Sequence, residues 1–209
     1  MLKLSKTIIL FSLVSVFLFF ITGCSDDKES PGQVSLRFTD SSLNSVAKSI
    51  LVVDSGFTSV MVSVIRIEIL SENDSVVVLE DFEDTPLQID LLDLGVDGVI
   101  VISEAEIGEG NFSQIRIIIE APEENQGAPT NPNTYVTIGE DPTEHPLFVP
   151  SGALTGLKIH LTPDMELGLG QSFEITLDFN ALQSIHRTGT NDRYIIRPTS
   201  MSAAVEEII

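Results

Sequence analysis

From Gln33 onward the chain is dominated by alternation of apolar and polar residues with a period of two. The alternation is cleanest in segment 173–179 (FEITLDF), where apolar side chains occupy every odd position. Successive side chains of a strand point to opposite faces of a sheet, so this pattern predicts strands with one buried face. We expect strands at 34–39, 61–69, 76–79, 87–90, 99–103, 112–120, 134–138, 147–149, 157–161, 173–179 and 194–197.

The longest strand candidate is 61–69. Its alternation places Met61, Ser63, Ile65, Ile67 and Ile69 on one face, and Val62, Val64, Arg66 and Glu68 on the other. Helical periodicity is scarce and predicts only a short helix at 42–52 and a single turn at 181–185, while 121–133 (APEENQGAPTNPN) is typical of a loop. About ten short strands separated by turns predict an all-β fold, an antiparallel β-sandwich with Greek-key-like connections.

The N-terminal segment follows a different pattern. Residues 1–6 carry two positive charges, and the 14 residues 8–21 are apolar except for Ser12 and Ser15. A charged region followed by a short apolar region is typical of a secretory signal peptide, whereas a membrane-spanning helix needs about 20 apolar residues. We therefore predict a cleaved signal peptide over residues 1–23 rather than an uncleaved membrane anchor.

Cys24 is the only cysteine, and it closes the tetrapeptide ITGC at 21–24. This tetrapeptide resembles the signal of bacterial lipoproteins, which implies cleavage before Cys24 and attachment of acyl chains to it. Two or three acyl chains hold a protein firmly at a membrane. An aspartate directly after the cysteine retains such proteins in the inner membrane, and because Ser25 stands there we expect the outer membrane. Cys24 is the one site residue that we predict, for lipidation.

The predicted signal divides the chain into three parts. After residues 1–23, residues 24–32 are expected to form a lipidated N-terminus and a flexible tether that ends in Pro-Gly. Residues 33–205 are expected to form a single β-sandwich domain, long enough to bury a core without disulfides. The acylated Cys24 makes membrane lipid the first expected partner.

The chain is strongly acidic, with 11 basic and 31 acidic residues and a formal net charge of −20. Loss of residues 1–23 removes two lysines and leaves 9 basic against 31 acidic residues. Nucleic acid and anionic lipid headgroups would be repelled by such a surface. We therefore expect no nucleic-acid partner, and an envelope protein or a glycan stays open as a partner.

A hydrolase would need a nucleophile with a histidine and an acid behind it. Ser151 is the candidate nucleophile, with His145, His160 or His186, but its surroundings are not Gly-x-Ser-x-Gly. His145 precedes a proline in an expected loop, and the alternation at His160 predicts a solvent-facing side chain. The three histidines are too far apart for a local zinc motif. We expect no enzyme, no catalytic residues, no metal and no cofactor.

Two binding chemistries remain as alternatives to a general envelope role. A calcium site could use the acids before Gly98 and those that follow it, although the spacing is not that of an EF-hand loop. These acids are Asp90, Asp93, Asp97, Glu104, Glu106 and Glu109. Glycan binding usually relies on exposed aromatic side chains, and the chain has 11 Phe, two Tyr and no Trp. Tyr135 is the one candidate for stacking on a sugar.

Several short phrases stand in this order along the chain: FTD at 38–40, IDLLDL at 89–94, GNFSQIR at 110–116, VPSG at 149–152, TGLK at 155–158, LDFN at 177–180, SI at 184–185 and YIIRP at 194–198. Together they resemble the family of bacterial and archaeal exported domains known as domain of unknown function 4382. The resemblance covers 32–204 and departs from the family in a longer stretch at 41–57. It implies an all-β domain, often on lipoproteins, and no known activity. Within the LDFN phrase we expect Asp178 to bond a neighbouring backbone group or Arg116.

The sequence thus predicts a lipid-anchored lipoprotein of the cell envelope with a non-enzymatic binding or structural role. A glycan- or calcium-dependent adhesion or carbohydrate-binding module is the alternative, and a hydrolase is third.

Overall fold

A computed structural model describes residues 30–42, 56–73, 75–94, 97–122, 132–149, 155–189 and 193–208 of the chain. Cys24, the predicted signal peptide, Ser151 and nearly all of the predicted helix at 42–52 lie outside these residues. Among the residues that are described, no helix has the length and apolar character needed to cross a membrane.

The described residues are mostly β-strand, which confirms the all-β prediction. The strands are β1 (Gly32–Thr39), β2 (Phe57–Ser71), β3 (Val76–Asp81), β4 (Leu87–Asp90), β5 (Val99–Ile107), β6 (Gly110–Ile119), β7 (Tyr135–Ile138), β8 (Asp141–Phe148), β9 (Leu157–Leu167), β10 (Ser172–Asp178), β11 (Ile185–Thr188), β12 (Arg193–Ile196) and β13 (Ser202–Ile208). The described residues also contain two one-turn helices, α1 (Leu91–Leu94) and α2 (Ala181–Ser184), and a 3₁₀ turn (Pro198–Ser200). Helix α2 is the turn predicted at 181–185.

The strands are joined by hydrogen bonds in the order β11-β12-β8-β7-β2-β6-β9-β13-β10-β1-β5, and β3 and β4 both pair with β2. Three neighbouring pairs are parallel: β1 with β10, β12 with β8, and β13 with β9. The sheet is therefore mixed, and it differs from the predicted antiparallel pairing at these three places. Alternation reports which face of a strand is buried, but it carries no information on the direction of the neighbouring strand. The two-layer, Greek-key arrangement stays a prediction.

Strand β2 contains a bulge that changes which of its residues face the core. Val64 pairs with residue 119 of β6 and Arg66 pairs with residue 118, so Ile65 is one extra residue in β2. An extra residue shifts the phase of the side-chain alternation. The apolar side chains with no exposed surface are accordingly Val60, Val62 and Val64 before the bulge, and Ile67 and Ile69 after it, while Ser63, Glu68 and Leu70 are buried as well. The prediction that the odd-numbered residues from 61 to 69 share one face is wrong for this reason.

The core is built around the parallel pair β1 and β10. Leu36 pairs with Ile175 and Phe38 with Leu177, and these four side chains are fully buried. The rings of Phe38 and Phe179 meet edge to face with centroids 5.0 Å apart. The alternation at 173–179 therefore predicts the buried face of β10 correctly from residue 175 onward.

The two ends of strand β1 serve as reference points for the rest of the molecule. At its start Gly32 pairs with Ile107, and the backbone N–H of Gly170 donates to the Ser30 carbonyl at 2.8 Å. We call this the proximal end, since the predicted tether enters there. At the other end the Phe179 N–H donates to the Thr39 carbonyl at 2.9 Å, and α2 and β11 follow directly. This distal end is separated from the proximal end by roughly 23 Å, because each strand residue rises about 3.3 Å.

Candidate binding site

The histidines considered for catalysis lie on three different strands. His160 on β9 and His186 on β11 are exposed, as expected for His160. His145 is half-buried within β8, so its assignment to a loop is wrong. Within the described ranges, no three His, Cys, Asp or Glu side chains converge as a metal site.

The acids proposed for calcium are spread over separate structural roles. The Asp90 carboxylate accepts hydrogen bonds from the backbone N–H groups of Val60 and Leu92, both at 3.0 Å, so it links β2 to the start of α1. The Asp97 carbonyl accepts a bond from Arg37 at 2.9 Å. Glu104, Glu106 and Glu109 are exposed on or beside β5. The described residues therefore give the calcium alternative no support.

Tyr135, the candidate for sugar stacking, lies on β7 and is half-buried rather than displayed as an open platform. Its cross-strand partner is Pro146 of β8. Burial raises the pKa of the Tyr135 hydroxyl above its ordinary value, and the nearby carboxylates of Glu144 and Asp90 raise it further. The side chain therefore stays a neutral hydroxyl over the whole physiological pH range.

Two aspartates join the distal ends of β1 and β10. Asp40 is completely buried, and its carboxylate accepts bonds from the N–H of Ala181 at 2.8 Å and from the N–H and hydroxyl of Ser42. The Asp178 carboxylate accepts bonds from the N–H groups of Ser41 and Asn180 and from the Ser41 hydroxyl. Each carboxylate is thus saturated with backbone and hydroxyl donors.

This network accounts physically for two of the phrases that carry the family resemblance, FTD and LDFN. Asp178 does bond neighbouring backbone groups, as predicted, but it does not bond Arg116, which pairs with Glu68 instead. Burial raises the pKa of Asp40 above its ordinary value, and this effect outweighs the hydrogen bonds from Ser42 and Ala181. Since every carboxylate oxygen already has a donor, the cluster is a structural clasp rather than an open cation site.

A half-open cavity of about 520 Å³ lies at the distal end, between α2 and strands β2, β7, β8, β11 and β12. We call it the distal pocket. It is lined by Phe57, Ile138, Asp141, His145, Leu182, Ile185, Arg187 and Tyr194. The Tyr194 ring stands edge to face against Phe57, with centroids 5.6 Å apart, and against His145 at 6.0 Å. An aromatic and aliphatic floor with a few polar groups at the rim is typical of sites for small molecules.

The rim of the distal pocket is formed by Asp141, His145 and Arg187. Asp141 accepts bonds from the Thr143 hydroxyl at 2.6 Å and the Thr143 N–H at 2.9 Å. These two bonds, and then the neighbouring His145, hold the pKa of Asp141 below its ordinary value. Arg187 lies directly across from Tyr194 in the antiparallel β11–β12 pair, so the register directs it to the pocket face.

Two other cavities fit a ligand less well. One of about 450 Å³ at the proximal end is polar and acidic, with Glu109 and Glu166 in its wall. The other, of about 280 Å³, is an apolar groove between β4 and β5 that includes Asp90 and Asp93. The distal pocket is larger than both, and it combines aromatic rings with groups of both charges.

Of the distal-pocket residues, sequence reasoning singled out only His145, and for a different role. Phe57, Arg187 and Tyr194 come from three strands that are distant in sequence, so no local motif joins them. The family model described as domain of unknown function (DUF4382) matches residues 31–198. No curated protein and no solved structure matches the chain.

Proposed function

This chain belongs to the family described as domain of unknown function (DUF4382), and we propose that it is a lipid-anchored, non-enzymatic binding domain of the cell envelope. The ITGC tetrapeptide supports the anchor through Cys24, and Ser25 favours the outer membrane. The family supplies no catalytic residues, which agrees with the separation of the three histidines on β8, β9 and β11.

One geometric relation supports the binding role most. The chain enters the β-domain at the proximal end, beside Gly32, whereas the distal pocket opens beside α2 at the opposite end. A tether attached at the proximal end holds that end nearest the lipid and leaves the pocket directed away from it. The eight residues 25–32 span at most about 29 Å when extended, so the pocket works within a few nanometres of its membrane.

The anchor is tested by metabolic labelling with an alkyne-tagged palmitate in a bacterial host. We expect the wild-type chain to incorporate the label and to lose residues 1–23, while Cys24→Ala gives an unlabelled, uncleaved precursor. The matched control is Ser25→Ala, which changes the neighbouring residue and should keep both labelling and cleavage. Continued labelling of the Cys24→Ala chain would refute the anchor.

A further inference from the structure

The apolar groove between β4 and β5 lies between two strands that are not paired with each other. Within the described residues, β4 pairs with β2 and β5 pairs with β1. We call this cavity the β4–β5 groove. The described residues that line it include six apolar side chains, Phe82, Leu87, Ile89, Leu94, Val99 and Val101.

The apolar surface of the β4–β5 groove reaches from the core to the solvent. Ile89 and Leu94 are buried, whereas Val99 is 51 % exposed. The other apolar lining side chains pack against the core and stay half-buried: Phe82, Leu87 and Val101. Exposed apolar surface that is gathered in one place is typical of a site for protein–protein contact.

The size of the β4–β5 groove points to a single side chain as its occupant. Its volume is about 280 Å³, just below the range of roughly 300–1,000 Å³ that small-molecule sites occupy. Large side chains that fill such pockets supply most of the binding energy of protein interfaces. The groove is therefore suited to one large apolar side chain of a partner protein.

The charges around the β4–β5 groove are negative. Asp90 and Asp93 lie in its wall, and two backbone N–H groups hold the Asp90 carboxylate without bringing a net charge. The exposed Asp84 lies in the turn that joins β3 to β4, and the exposed Asp97 lies two residues before Val99. A partner segment seated in the groove would thus have carboxylates on both sides.

The arginines on the strands that pair with β4 and β5 are matched by other carboxylates. Arg66 of β2 pairs with Asp81 and Glu83, and Arg37 of β1 pairs with Glu174. The formal net charge of the chain is −20, so a second copy of the chain would be repelled. Charge complementarity favours a cationic partner instead.

We propose that the β4–β5 groove docks a basic segment of another protein, which inserts one large apolar side chain between flanking lysines or arginines. The apolar side chain lies among Phe82, Leu87 and Val101, and the flanking cations lie near Asp84 and Asp97. The groove and the distal pocket share no lining residue among those described. This docking surface is therefore separate from the proposed binding site and adds a partner class to it.

The test uses the absence of tryptophan from the chain, because the emission of a tryptophan in a peptide then reports binding alone. Three capped peptides, GKKWKKG, GQQWQQG and GEEWEEG, are titrated with the full chain in a nonionic detergent, with detergent alone as the baseline. We expect GKKWKKG to shift to the blue and to bind about tenfold more tightly than GQQWQQG, the scale of two exposed ion pairs. GEEWEEG should bind most weakly, and GKKAKKG should not displace GKKWKKG.

Charge variants locate the basic part of the contact. Asp84→Asn/Asp97→Asn should abolish the preference for GKKWKKG over GQQWQQG and leave the binding of GQQWQQG unchanged. The matched control is Asp164→Asn/Glu206→Gln, which removes two exposed carboxylates from β9 and β13. It changes the net charge by the same amount and should keep the preference.

A filled groove tests the apolar part of the contact. Val101→Phe should occupy the groove and weaken GKKWKKG and GQQWQQG alike, with a melting temperature within a few degrees of wild type as the check on folding. Leu169→Phe makes the same kind of enlargement at an exposed position after β9 and should leave both affinities unchanged. The charge variants keep the apolar wall intact, so they decide the question even if Val101→Phe does not fold.

Four outcomes would overturn the assignment: equal binding of GKKWKKG and GEEWEEG, no binding of either lysine or glutamine peptide, a lysine preference that survives Asp84→Asn/Asp97→Asn, or one that the matched control also loses. A dimer of the full chain in sedimentation that Val101→Phe separates would assign the groove to a second copy and overturn it as well. The palmitate labelling tests the anchor at Cys24 alone, so either result can fail without the other.

Discussion

Asp40 combines complete burial with an ionisable side chain. Its pKa lies above the ordinary value of 3.8 because burial disfavours the charged form, and the nearby Asp178 adds to the shift. A carboxyl group with a raised folded-state pKa binds its proton more tightly in the folded protein. The stabilisation of the fold by this tighter proton binding at Asp40 is therefore complete below about pH 3.8. It is lost as the pH rises through the folded-state pKa.

We predict that Asp40→Asn destabilises the fold by about 1–3 kcal/mol, since an amide NH₂ would face the N–H donors of Ser42 or Ala181. Asparagine does not titrate, so the advantage of wild type over the variant should shrink as the pH rises from below 3.8 through the raised pKa. Urea unfolding followed by circular dichroism across this range measures the difference.

The control for this measurement is Asp164→Asn, at an exposed position of β9. It should change the free energy of unfolding by less than about 0.5 kcal/mol. A wild-type advantage over Asp40→Asn that grows with rising pH would contradict the assignment of a raised pKa to Asp40.

At the scale of elements, one ladder of charges crosses three neighbouring strands. Glu68 of β2 pairs with Arg116 of β6, which in turn lies opposite Lys158 of β9. The side chain of Glu68 is 6 % exposed and that of Arg116 is 20 % exposed. Like charges directly opposite each other destabilise a sheet. The carboxylate of Glu68, which pairs with Arg116, offsets the repulsion between Arg116 and Lys158.

Breaking a buried ion pair from one side leaves an uncompensated charge. We therefore expect Glu68→Leu to lower the free energy of unfolding by about 3–5 kcal/mol. Arg66→Gln, which breaks an exposed pair on the same strand, should cost only about 0–1 kcal/mol. The double variant Glu68→Leu/Arg116→Leu should recover most of the loss, because it removes both charges together. A Glu68→Leu variant as stable as Arg66→Gln would show that the pair contributes nothing.

The elements could be predicted from the sequence to the extent that local chemistry determines them. The alternation located most of the strands, but it predicted no strand at β11 or β13. Local chemistry is visible at the bend before β9, where Gly156 has φ +63° and a Cβ would lie 2.8 Å from the Ile117 carbonyl. The bulge at Ile65 was not predictable in this way. It depends on how β2 meets β6, and residues 60–69 alone carry no sign of it.

The distal pocket was hidden from the sequence for a related reason. Phe57, His145 and Tyr194 meet only because β8 pairs in parallel with β12, and β7 with the start of β2. Neither pairing has a local signature, since in both cases the paired strands lie far apart in the sequence and are joined by no short turn. The aspartate clasp was partly predictable, because Asp40 and Asp178 stand in the phrases FTD and LDFN that carry the family resemblance.

At the scale of the whole molecule, the entry of the chain at Gly32 and the distal pocket lie at opposite ends of the β-strands. The cavity at the proximal end is acidic, with Glu109 and Glu166 in its wall. Anionic headgroups would repel these carboxylates. The proposed covalent tether, which would enter at Gly32, is thus what would hold the proximal end toward the lipid against this repulsion.

This orientation leads to a prediction about depth that uses single engineered cysteines. Cys24 is acylated in the proposed anchor, so a thiol at an exposed site would be the one available for a fluorescent donor. Glu109→Cys marks the proximal end, and Thr199→Cys, in the 3₁₀ turn beside α2, marks the distal end. In vesicles with acceptor-labelled headgroups we expect stronger energy transfer from position 109, because the ends lie roughly 23 Å apart along β1. As controls, the unaltered chain should take up no dye, and vesicles without acceptor give the baseline of donor emission.

Equal or stronger transfer from position 199 would mean that the distal end lies against the bilayer and that the pocket faces the lipid.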